Sequence, residues 1–225
     1  MDSTPALDDE VVLWSAPLAE RAGRPLLVLL HGYGSDEQDL FGLVPHLPSE
    51  YVVASVRASL APPFPSPGFA WYPIEGLDGR SAERVTDAAA RVIEWLDART
   101  EAARIGLLGF SQGAAVAMQA LRLDPERFAF GINLSGYVTP GAMPGDAVLA
   151  EQRSLPVFWG RGARDEVIPE PLVAHSIQWL PEHVDLSGRV YPGLAHSVSE
   201  QELQDVRVFL EKQLHRDTPT PEATA

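Results

Sequence analysis

Apolar residues along this chain fall into short unbroken runs separated by stretches of helical spacing. Residues 26–30 read LLVLL, and comparable runs occupy 11–14, 51–56, 105–110, 130–134, 156–159 and 188–191. Mostly continuous runs of this length, without alternation, are what parallel strands covered on both faces require. Between them, residues 82–99 set Val85, Ala89, Val92, Ile93 and Leu96 at helical spacing with Glu and Arg at intervening positions, the pattern of an amphipathic helix. Residues 112–123, 171–180 and 199–214 behave likewise, and Ser199 with Glu202 has the spacing of a capping box. This alternation predicts an α/β class fold: a mostly parallel central sheet flanked by helices, with functional loops at the carboxyl ends of the strands. The segment 60–74, rich in proline and aromatic residues, reads as a loop lying against the core.

Length and composition narrow the picture. A chain of 225 residues, 45% hydrophobic, buries one substantial core. The expectation is a single domain over residues 10–215, after a flexible N-terminus (1–9) and before a disordered tail (216–225) that lacks large apolar side chains. A formal net charge of -14 sets the protein against nucleic acid and anionic membrane surfaces by like-charge repulsion. No signal-like N-terminus and no long apolar span is visible, which predicts a cytoplasmic protein without stable membrane insertion. Homodimer formation stays open. The absence of cysteine excludes disulfides, thiolate metal sites and a cysteine nucleophile, and the one lysine, Lys212, lies in a charged amphipathic stretch unsuited to Schiff-base chemistry.

A nucleophile is offered instead at Gly109-Phe110-Ser111-Gln112-Gly113, where a predicted strand runs into a run of small, helix-compatible residues. At such a strand–turn–helix junction a serine is held in a strained backbone, and glycines two positions either side let strand and helix approach. In isolation the same residues would serve as a glycine-flanked turn with a capping serine. A serine hydroxyl needs a base in hydrogen-bonding reach and a carboxylate to fix that base's tautomer. Asp165, in the glycine-containing loop after the run at 156–159, is the best acid; the adjacent Glu166 is expected to point elsewhere, and Asp146 and Asp185 lack that setting. Among six histidines, His196 follows the last predicted strand and precedes the final helix, as the base should. Backbone amides of Gln112, at a helix start, and of Tyr33, in the loop His31-Gly32-Tyr33-Gly34, are the expected oxyanion donors. Phe64, Phe69 and Trp71 are expected to wall the substrate site.

With LLHGYGSDEQDL, APPFPSPGFAWYPI, GFSQGAAVAMQAL, GRGARDEVIP and YPGLAHSVS in order, the chain resembles the carboxylesterase/phospholipase family of α/β-hydrolases. That group includes acyl-protein thioesterases and small bacterial carboxylesterases, and SDEQDL is closer to the bacterial branch. The resemblance implies the α/β-hydrolase fold, a Ser111–Asp165–His196 triad, an oxyanion hole from Tyr33 and Gln112, an aromatic acyl site beside Trp71, and hydrolysis with neither metal nor organic cofactor. The connection 134–156 is too short for a large cap domain. The expected activity is hydrolysis of small to medium acyl esters through an acyl-enzyme. Thioesterase or lysophospholipase action is the alternative, and a ligand-binding protein on a hydrolase fold is the non-enzymatic one.

Overall fold

The computed structural model describes residues 5–74, 81–97, 102 and 104–216. Strands β1 (Leu13–Trp14), β2 (Leu26–Leu30), β3 (Val52–Val56), β4 (Ile105–Phe110), β5 (Phe130–Leu134), β6 (Pro156–Gly162) and β7 (Asp185–Tyr191) form one sheet in the order β1-β3-β2-β4-β5-β6-β7. Only β1 is antiparallel, pairing with β3; every other pair is parallel. The leucine and valine runs lie where both faces are covered: all five residues of β2 and of β3 are buried. Fully burying each such side chain contributes about 1.5–3 kcal/mol.

Helices α2 (Ala82–Asp97), α3 (Gln112–Leu123), α4 (Asp146–Gln152) and α5 (Glu170–His183) cover one face. Their Val92, Leu96, Val116, Leu121, Leu149 and Leu180 share one buried core with Val28, Leu30 and Leu107 of the sheet. On the opposite face α1 (Glu37–Phe41) and α6 (Glu200–His215) set Leu40, Val206, Phe209 and Leu210 against Leu27, Leu29 and Leu108. The connection from β5 to β6 carries only the seven-residue α4, with no cap domain over the strand ends.

The structure departs from the sequence reading at several edges. Residues 11–12 are not strand; Asp9–Val11 is a 3-10 turn capped by the Asp8 carboxylate. Before residue 10, Leu7 packs against the core and Asp9 accepts the Trp95 indole N–H at 2.8 Å. At the other end Arg216 donates to Asp185 at 2.6 Å; residues 217–225 of the expected tail lie outside the described residues. Strand β7 begins at Asp185 rather than Gly188 because it pairs with the whole of β6, from Pro156↔Asp185 to Gly162↔Tyr191. As the last strand of the sheet it is largely exposed, so it needs no continuous apolar run.

Candidate active site

Ser111 stands between β4 and α3 with φ 54° and ψ -114°, a conformation that costs a non-glycine residue on the order of 1–3 kcal/mol and persists only where its surroundings enforce it. Its N–H donates to Leu134 O at 2.9 Å and its carbonyl accepts from Ala115 N–H at 3.1 Å. A Cβ at Gly109 would collide with the Gly113 peptide, and one at Gly113 with the Leu30 carbonyl. The two glycines are therefore fixed by how closely α3 crosses the ends of β4 and β2.

His196 and Asp165 meet Ser111 from two other strand ends. His196 Nε2 lies 2.8 Å from Ser111 Oγ, and His196 Nδ1 lies 2.8 Å from Asp165 Oδ2. The other carboxylate oxygen, Oδ1, accepts Val167 N–H at 2.9 Å and Ile168 N–H at 3.3 Å, and the side chain is only 3% exposed. Since an ionised carboxylate only accepts, the network assigns the histidine proton to Nδ1 and leaves the Nε2 lone pair facing the serine hydroxyl. The two loops are joined by backbone: Ala163 N–H donates to Tyr191 O and Arg164 N–H to Leu194 O, and a Cβ at Gly162 would overlap the Leu194 carbonyl. Glu166 is exposed, Asp146 is held by Arg122, and Asp185 is held by Arg216.

Tyr33 and Gln112 line the same cleft as Ser111, and among the described residues no acceptor takes either backbone N–H. Behind them His31 is fully buried. Its Nδ1–H donates to Gly32 O at 2.7 Å and its Nε2 accepts Ala58 N–H at 3.1 Å, so the ring is neutral. Burial, the largest influence, lowers its pKa, against a smaller upward pull from the Gly32 carbonyl.

The aromatic wall expected from Phe64, Phe69 and Trp71 is not what lines the cleft. Phe64 is 97% exposed. Phe69 packs beneath the Arg57 guanidinium, 4.6 Å from its ring centroid. Trp71 is buried and donates its indole N–H to His31 O at 2.8 Å, supporting the loop 31–34 from behind. The cleft, about 300 Å³, has apolar walls from Tyr72, Ile74, Phe110, Tyr137, Val167 and Ile168, with the Tyr72 and Tyr137 hydroxyls 2.7 Å apart. Sequence reasoning also missed the side chain of Gln112. Its Oε1 accepts Trp71 N–H at 2.9 Å and its Nε2 donates to Tyr72 O at 2.7 Å, clamping the wall to the residue after Ser111. The available signal was a long amide placed next to a candidate nucleophile in an otherwise small-residue helix.

The family model described as phospholipase/carboxylesterase matches residues 18–214. A probable carboxylesterase of Oryza sativa subsp. japonica is 28% identical over 91% of this chain and 94% of its own length. Acyl-protein thioesterase 1 of Kluyveromyces lactis is 31% identical over 54% of this chain and 55% of its own. Among solved structures, the Bacillus cereus carboxylesterase has a TM-score of 0.71 at 20% identity, covering 90% of this chain and 93% of that one, a likeness of fold alone. The match across nearly the whole sheet makes this chain a member of the phospholipase/carboxylesterase family, an α/β-hydrolase acting on ester or thioester bonds.

Proposed function

We propose that the protein is a serine carboxylesterase in which Ser111 attacks, His196 moves the proton and Asp165 holds the imidazole. The observation that carries this reading is the unbroken pair of 2.8 Å hydrogen bonds running from Ser111 through His196 to Asp165. As Ser111 Oγ adds to the acyl carbon, its proton passes to His196 Nε2 and the carbonyl oxygen takes up negative charge. The Tyr33 and Gln112 amides, the latter at a helix N-terminus, donate to that oxygen. Collapse expels the alcohol or thiol, which takes the proton from Nε2, and leaves Ser111 acylated. Water then attacks the acyl-enzyme, gives its proton to His196, and a second collapse returns that proton to Ser111 and frees the acid.

A cleft of about 300 Å³ with apolar walls suits a small to medium acyl group. The thioesterase relative keeps thioesters within the same reading. Among the described residues no helix is long and apolar enough to cross a membrane, and a cytoplasmic enzyme taking its substrate from solution is part of the proposal.

The test is labelling with a fluorophosphonate, mapped by mass spectrometry, alongside p-nitrophenyl acetate, butyrate and octanoate hydrolysis. Label on Ser111, and turnover abolished in Ser111→Ala, are the expected results. A folded wild type that neither labels nor turns over would instead be a binding protein on this fold.

A further inference from the structure

We infer that the cleft selects by charge, favouring esters whose leaving group carries an ammonium over neutral ones and disfavouring anionic ones, with Asp39 as the specificity-determining residue. The inference rests on the esterase reading and adds the substrate class. Of the described residues lining the cleft, only Asp39 and His196 have ionisable acid or base side chains apart from the tyrosines, and none of them is Lys or Arg. Asp39 lines the cleft, is exposed to solvent, and accepts a hydrogen bond from the neutral Ser35 hydroxyl at 2.9 Å.

Its neighbours on α1 are otherwise engaged. Asp36 caps the helix by accepting Gln38 N–H, and both Nε and Nη2 of Arg57 donate to Glu37. The basic group beside this helix is thus bound to a different carboxylate, leaving Asp39 as a negative charge on the cleft. Tyr33, Tyr72 and Tyr137 line the same space, and aromatic rings add attraction for an ammonium through their quadrupoles. The net charge of -14 acts in the same direction from a distance.

The experiment compares kcat/KM for three butyryl thioesters, with thiocholine, 2-mercaptoethanol or 3-mercaptopropionate as the thiol. Wild type and Asp39→Asn are measured in low salt and in 0.5 M NaCl. Differences in thiol acidity cancel when the cationic-to-neutral ratio of wild type is divided by that of the variant. One unit charge a few ångströms away in a solvent-exposed site predicts a quotient of roughly five. Salt should shrink the wild-type cationic-to-anionic ratio several-fold. A quotient near one, or a ratio indifferent to salt, overturns the charge selection while leaving the esterase reading intact. Failure of wild type to cleave any of the three counts against the esterase reading itself.

Discussion

A methyl group at Gly113 would overlap the carbonyl oxygen of Leu30, which is backbone and cannot swing aside. Gly113→Ala is therefore expected to lose more than about 2 kcal/mol, the reverse of the usual gain from alanine in a helix, read as a fall in urea midpoint. Gln112→Ala is a gentler change. It leaves the backbone amide at 112 in place but strips the buried Trp71 N–H of its acceptor, so a loss of about 1–3 kcal/mol with fluorophosphonate labelling retained is the expected outcome. Asp165→Asn should keep the fold and lower kcat by about 10³–10⁴-fold, because the amide can present a donor to Nδ1 and reverse the histidine tautomer. These residues differ in how readable they are. Ser111, Asp165 and His196 could be picked out because each follows a recognisable strand and the three come in a fixed chain order. Trp71 could not be placed, since it sits in an aperiodic loop and its partners, the His31 carbonyl and the Gln112 side chain, lie about forty positions away on either side.

Elements with long repeats were legible for the same physical reason. Five-residue stretches of leucine and valine bury on both faces, and α2 has four turns in which to display its stripe. Helix α1, with five residues, and α4, with seven, are too short to establish a period; the first is marked only by its cap, Asp36. The capping-box spacing at Ser199 does fix the start of α6, where Ser199 Oγ accepts Glu202 N–H at 3.1 Å. The reciprocal half is different. Glu202 is fully buried in the gap left by Gly160, its carboxyl oxygens make no side-chain hydrogen bond of good geometry, and burial pushes its pKa up to about 7. Folded Glu202 therefore holds a proton that the unfolded chain, titrating near 4.5, gives up. Its contribution is fully present below about pH 4.5 and is lost as pH rises through 7, by on the order of 3 kcal/mol. His31 works oppositely: its lowered pKa means stability is lost as pH falls below the unfolded value near 6.5. Denaturation midpoints followed from pH 4 to 9 should show the loss between about pH 4.5 and 7 removed in Glu202→Gln, while the opposite loss from His31 as pH falls below 6.5 is kept.

Across the whole molecule, Ser111, Asp165 and His196, the proposed triad, come from the ends of three strands, β4, β6 and β7, and these strands are not equally secure. Strand β4 lies inside the sheet with a neighbour on each side, whereas β7 has β6 alone and is largely exposed. His196 follows β7, and the link between its loop and the acid loop begins at the Tyr191 carbonyl that ends the strand. Loosening of that border would separate His196 from Ser111 while the buried interior stayed intact. On warming, turnover should therefore fade several degrees before far-ultraviolet circular dichroism reports the loss of helix and sheet, and amides of 185–191 should exchange hydrogen faster than those of 105–110. The working lifetime of such a catalyst is governed by its least protected margin, so reinforcing that margin, with the cleft left untouched, is the direct route to a longer-lived enzyme.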